Sequence, residues 1–220
     1  VRVFMLFAAP VEKDLDWSDE GIEGAFRFLN RVWRLVTDSL SRIESFKGVR
    51  PDPNSVSDSA RELLIKVHKT IRKVTLDLER FQFNTAIAAI MELLNSTSRF
   101  EIKGEEDVPV LRESVETIIR LLYPMAPHIS EELWELVGYR ETLVDKPWLE
   151  WDGKLIESES ITIVIQVNGR VRGQIVMDSE ADEDEVKRAA FSDERVKSYI
   201  AGKEIKKVIV VPKKLVNIVV

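Results

Sequence analysis

From Ser18 onward, apolar residues recur at Ile22, Phe26, Leu29, Trp33, Val36 and Leu40, at the three- and four-residue intervals of one face of a long helix. Ser18 is a natural N-cap, and the acidic residues that follow it suit the positive end of the helix dipole. Arg27, Arg31 and Arg34 fall on roughly the opposite side, spaced so that their guanidinium groups share one ridge. The segment GVRPDPNSVSDS interrupts this pattern, and a second helix follows with Ala60, Leu64, Val67, Ile71, Val74 and Leu78 facing inward. FNTAIAAIMELLN predicts a third helix, capped by Asn84 or Thr85, and beyond the acidic KGEEDVP loop a fourth runs to about Leu122. Pro124 ends it, because proline has no amide proton and its ring clashes with the preceding turn.

A fifth helix lies in PMAPHISEELWELVG. Pro127 suits its first turn, where a missing donor costs nothing. Ile129, Leu133, Trp134 and Leu136 supply the buried face, and Gly138 is placed for a left-handed stop. Short connections between such helices imply a bundle. After Trp151 the period changes. ITIVIQVNGRVRGQIVM alternates as paired strands do, DEDEVKRAAFSDERVKSYIAG is helical, and IKKVIVVPKKLVNIVV reads as two more strands. The pattern therefore predicts a multi-domain chain, an all-α bundle of about five helices followed by a small α+β domain. Its segments are a tail over 1–17, the bundle over 18–150 and the α+β domain over 151–220. In the first hairpin a two-residue Asn168-Gly169 turn sets Ile165 against Arg172, mixing core with charge. A bulge or three-residue loop pairs Val167 with Val171 and Ile163 with Ile175, leaving Gln166, Arg170, Arg172 and Gln174 away from the core, and is the favoured register.

Composition narrows the function classes. Across 220 residues, 45% are hydrophobic, enough to build a core. The chain has no cysteine and two histidines, which excludes a disulfide framework and a thiolate zinc site. The longest apolar runs are too short to span a membrane. The chain opens on Val1 rather than methionine, and the expectation is a piece of something larger. Net charge is −6, so any nucleic-acid binding must come from local patches.

No phosphate loop, HExxH or serine elbow is present. His128 with Glu131 and Glu132 shares a helix face, but carboxylates in a first helical turn are ordinary. The cations are better candidates: Arg27, Arg31 and Arg34 on the first ridge, Lys69, Arg72 and Lys73 on the second helix, Arg170 and Arg172 in the hairpin GRVR, and Lys213 and Lys214 in the turn PKK. Such groups at exposed tips reach phosphates; they also discourage edge-to-edge strand pairing.

Taken in order, WSDEGIEGAFRFLNRVWRLV, FNTAIAAIMELLN, YPMAPHISEELWELVG and IVIQVNGRVRG resemble bacterial leucyl-tRNA synthetases over nearly the whole chain. The proline-bracketed helix start is similar to the anticodon-binding bundle of the class Ia synthetases. The VNGRVRG hairpin and the terminal VPKKLVNIVV point to the leucine enzymes, and the opening VRVFMLFAAPVEKDLDW resembles the segment leaving the catalytic module. The resemblance implies a tRNA-positioning fragment that holds the body and elbow of tRNA(Leu). ATP and magnesium serve the parent enzyme, with no cofactor in this fragment. The HIGH and KMSKS motifs, the leucine pocket and the editing domain are absent from these residues, so the fragment is expected to be catalytically silent. It further implies the catalytic and editing domains of the same polypeptide as partners, a monomer, no membrane and a cytoplasmic location. The competing expectation is a helical protein-interaction scaffold whose cations only keep it in solution. A free-standing RNA-binding protein is disfavoured by the missing start methionine.

Overall fold

The computed structural model describes residues 1–10, 13–14, 16–157, 160–178, 181–203 and 205–220. The chain divides into two compact units, Val1–Asp152 and Gly153–Val220.

The first unit is built from α1 (Arg2–Ala8), α2 (Asp19–Ile43), α3 (Asp58–Glu79), α4 (Phe83–Ser98), α5 (Val108–Leu122) and α6 (Pro127–Leu136). Ser18 caps α2 by accepting from Gly21 N, and Ser57 caps α3 by accepting from Ala60 N. The third predicted helix begins at Phe83, two or three residues earlier than a cap at Asn84 or Thr85 implies, and without a side-chain cap. The Thr85 hydroxyl donates back to Gln82 O instead of receiving an amide. Residues 1–17, expected as a tail, contribute α1, whose Val3 and Phe4 are buried. An added Cβ on Gly21 would lie 2.5 Å from the Phe4 ring, so only glycine lets α1 approach α2 this closely.

The buried stripe of α2 is Ala25, Phe28, Val32, Val36, Ser39 and Ile43, not the stripe read from the sequence. Phe26 is 67% exposed and Trp33 37%. The two stripes differ by a rotation of less than one quarter-turn, and small or β-branched residues at 25, 32 and 36 allow the closer approach to the other helices. Leu136, expected inside α6, is also exposed, whereas Leu133 and Trp134 are buried.

Arg112 of α5 anchors two helix ends. With 2% of its surface accessible, it donates to Ile43 O at 2.6 Å and to Val137 O at 2.9 Å. These carbonyls stand at the C-terminal ends of α2 and α6, where helices leave acceptors to be satisfied. Its Nε lies 2.6 Å from Glu116 Oε1 at an angle that makes an ion pair but not a hydrogen bond. Tyr139 donates to the same carboxylate at 3.0 Å and stacks on Trp134 with ring centroids 3.9 Å apart. Burial pushes the Glu116 carboxyl up, against the opposing pull of Arg112. Just before α5 begins, Asp107 accepts from Ser57 N, Ser57 Oγ and Lys103 N. Burial opposes its charge, but these hydrogen bonds outweigh it and hold the carboxyl below its ordinary value.

The second unit contains α7 (Gly153–Glu157), β1 (Ser160–Val167), β2 (Arg170–Asp178), α8 (Glu183–Ser192), α9 (Glu194–Ile200), β3 (Lys207–Val211) and β4 (Leu215–Val219). Its sheet order is β2-β1-β4-β3, with β1 and β4 parallel and the other pairs antiparallel. Ile163, Ile165, Val167, Val216 and Ile218 form the inner face beneath Val186, Ala190 and Val196 of α8 and α9.

The β1–β2 hairpin combines both registers weighed from the sequence. Ile163 does pair with Ile175, and a bulge is present. The turn, however, is the two-residue Asn168-Gly169 form, with φ of 48° and 76°, so Val167 faces Arg170 and Val171 faces Gln166. The extra residue is Arg172. Asn217 Oδ1 accepts from Gly169 N, and Asn168 Oδ1 from Val220 N, which ties the turn to β4.

Candidate nucleic-acid interface

The parallel β1–β4 pairing decides which cations of the second unit meet. Arg170 pairs with Val167, Val167 with Ile218, and Ile218 with Val208, so these residues form one row across four strands. Lys207 pairs with Val219, one step beyond that row, and Lys206 N donates to Val219 O at 2.8 Å. At about 4.8 Å per strand, roughly 14 Å separates the Arg170 and Lys207 backbones. Lys203 sits at the end of α9, its amide on Ile200 O. Arg172 does not point away from the helices as expected: its guanidinium lies 4.1 Å from the Tyr199 ring centroid of α9, and its Nε is buried. The bulge causes this, since the extra residue departs from strict alternation. Tyr199 is 39% exposed, so its ring and the guanidinium together reach the surface beside the hairpin.

Arg170, Arg172, Lys203, Lys206 and Lys207 therefore lie at one end of the sheet, with Lys207, one residue off the row, on the face opposite Arg170. Lys213 and Lys214 do not join them. The turn they occupy, with Lys213 at φ 60°, leads into Leu215, which pairs with Val164, and so lies at the opposite end of the β3–β4 hairpin. Lys213 and Lys214, read from the sequence alongside Arg170 and Arg172 as cations at exposed tips, thus lie at a separate end of the sheet. Lys203, Lys206, Lys207 and Tyr199 were missed. The repeated lysines of KEIKKV were visible, but a nonlocal parallel pairing has no short-range signature.

In the first unit, Arg27, Arg31 and Arg34 are exposed on α2, and Arg31 donates to Asn95 of α4. Lys69 lies on α3, Arg72 is exposed, and Lys73 forms an ion pair with Asp77 at 3.4 Å. Beside α6, a cleft of about 550 Å³ is lined by His128, Glu131, Glu132, Glu135, Arg140 and Glu141 among others. Its carboxylates repel phosphate, and Glu131 already accepts from Leu143 N. The helix start at PMAPHI is thus architecture, with Pro127 in the first turn and Gly138 at φ 98° closing the last. Among the described residues no group of three or more His, Cys, Asp or Glu side chains is placed to hold a metal ion, and no helix is long and apolar enough to cross a membrane.

A family model described as the anticodon-binding domain of tRNA ligase matches residues 60–187. The whole chain aligns at 51% identity with a leucine–tRNA ligase of Geotalea uraniireducens and at 48% with one of Syntrophobacter fumaroxidans, spanning 27% of each relative's length. Among solved structures, the leucyl-tRNA synthetase of Agrobacterium radiobacter K84, in a ternary complex with tRNA and LeuAMS, is 32% identical at a TM-score of 0.68. That alignment covers 99% of this chain and 28% of the synthetase. A methionyl-tRNA synthetase of Mycobacterium tuberculosis, 21% identical over 63% of this chain with a TM-score of 0.51, shares the fold.

Proposed function

The chain belongs to the anticodon-binding-domain family of tRNA ligases, and from that premise we propose that it is the tRNA-positioning part of a leucine–tRNA ligase, gripping the body and elbow of tRNA(Leu). The observation that carries this reading is the convergence of Arg170, Arg172, Lys203, Lys206 and Lys207 at one end of the second unit. The edge strands β2 and β3 and the stretch between α9 and β3 carry these cations, where they can reach phosphates, and the Arg172–Tyr199 stack adds a planar face. End-to-end identity of about half with leucine–tRNA ligases supports leucine as the amino acid. ATP-dependent aminoacylation, with magnesium, belongs in this reading to catalytic and editing parts of a longer polypeptide that acts as a cytoplasmic monomer. The chain itself binds, orients and does not react.

Titrating the 220-residue chain with a labelled tRNA(Leu) transcript over a range of salt tests this. The expected result is binding that weakens linearly in log salt. Replacing Arg170 and Lys207 with alanine should flatten that slope by roughly 1.4 to 1.8, at about 0.7 to 0.9 per neutralised phosphate. Both side chains are exposed, so folding should survive. Absence of tRNA binding at low salt, with capture of a protein partner instead, would favour the interaction-scaffold reading.

A further inference from the structure

The turn joining α3 to α4 closes with two bonds, Gln82 N to Asp77 O at 2.8 Å and Phe81 N to Leu78 O at 3.1 Å. This arrangement requires the residue after the cap to be left-handed, a position glycine fills without steric cost. The end of α6 uses the same pair of bonds, Tyr139 N to Trp134 O at 3.2 Å and Gly138 N to Glu135 O at 2.9 Å, with glycine in that position. At the end of α3 the position holds Phe81, at φ 56°. A bulky side chain is strained there, because its Cβ crowds the following carbonyl. Burial does not offset the strain, since Phe81 is 63% exposed. Its ring meets Phe83 edge to face at 6.1 Å and leaves a broad surface open. A strained backbone that presents an aromatic ring to solvent fits a binding surface better than a packing role.

Charge indicates the partner. Lys69, Arg72, Lys73 and Arg80 lie on the outward side of α3 leading to this turn, with Arg72 and Arg80 exposed. At 1.5 Å per residue, Lys69 to Arg80 covers about 16 Å, roughly the rise of five stacked nucleotides at 3.4 Å each. Asp77 partly neutralises Lys73, and exposed Glu79 offsets Arg80 at the turn. The phosphate grip therefore centres on Arg72, and what the turn itself offers is the face of a ring. Aromatic faces beside cations receive unstacked bases.

Resting on the tRNA-positioning reading above, we infer that the Arg80–Phe83 turn is a stacking site for an unpaired base of the bound tRNA, with Arg72, farther back along α3, holding the backbone of the same strand. The test compares the wild-type chain with Phe81→Gly, Phe81→Trp and Arg72→Ala, using thermal melting and binding of a labelled tRNA(Leu) transcript across salt. Phe81→Gly relieves the backbone strain, so its melting temperature should not fall, yet its affinity should drop roughly 5- to 150-fold with an unchanged salt slope. Phe81→Trp should retain affinity, and Arg72→Ala should flatten the slope by about 0.7 to 0.9. If Phe81→Gly binds within twofold of a wild type that itself binds in a salt-dependent way, the stacking site is refuted while the tRNA-positioning reading stands, and the exposed ring is left to a protein partner. A fall in its melting temperature would overturn the inference by showing that the ring serves packing. A wild type that binds no tRNA overturns both readings.

Discussion

Replacing Arg112 with methionine keeps most of the buried volume but removes every polar contact its guanidinium makes. Three groups lose a partner at once: the terminal carbonyls of Ile43 and Val137, reached at 2.6 and 2.9 Å, and the Glu116 carboxylate, 2.6 Å from Nε. Breaking a buried pair by deleting one member costs about 3 to 5 kcal/mol, because the remaining charge is left without compensation. The two orphaned carbonyls place the expected loss in the upper part of that range. Urea unfolding followed by tryptophan fluorescence would measure it, since Trp134 stacks on the Tyr139 that donates to Glu116. The pH dependence supplies a second reading. Glu116 already has a raised carboxyl in the folded chain. A group raised in this way contributes stability that is full below its unfolded value, near 4.5, and is lost as pH rises through the folded one. Without Arg112 the carboxyl should rise further, so the variant should regain stability as pH falls from neutrality toward 4.5. The double variant Arg112→Met with Glu116→Leu should recover part of the loss. A single-variant cost below about 1 kcal/mol at neutral pH would refute the anchoring role, since even one orphaned buried acceptor costs that much.

Two more substitutions probe the frame. Trp134→Ala should cost about 3 to 5 kcal/mol, because the side chain is 4% exposed and stacked, whereas Pro127→Ala, in the first turn of α6, should change stability little; equal effects in denaturant melts would contradict the packing described. Asp107→Asn should cost about 1 to 3 kcal/mol at neutral pH, and because the Asp107 carboxyl is held low, that gap should close as pH falls below the ordinary 3.8 in acid-unfolding curves.

Local grammar carried much of the fold. Ser18, Pro127 and Gly138 act in the structure as their residue types suggest, and the change from helical to alternating period after Trp151 falls beside the division at Asp152 and Gly153. Errors arose where more than one solution satisfies the same local rule. On α2, Ile22, Phe26, Leu29 and Trp33 compete with Ala25, Phe28, Val32 and Ile43 for the inside, and only Val36 belongs to both the expected and the buried stripe. What decides is closeness of approach, which depends on the opposing helices and not on α2 alone. Arg112 was not singled out for the same reason: in VLRESVETIIRLL it reads as an ordinary surface charge until two helix ends are brought to it.

The candidate site shows a sharper limit. Hairpin tips can be read from Asn168-Gly169 or Pro212-Lys213, but which tips share an end of the sheet depends on a parallel pairing between strands nearly fifty residues apart. Lys213 and Lys214 were therefore grouped with Arg170, where Lys206 and Lys207 belong. The left-handed positions make the complementary point. Gly138 announces its conformation through its residue type, whereas Phe81 conceals an equally left-handed one behind a residue that avoids it. Where sequence and backbone agree, the conformation needs no explanation beyond the end of a helix. Where they conflict, as at Phe81, an unfavourable conformation has been kept despite glycine being a simpler solution, and the exposed ring is what that conformation delivers.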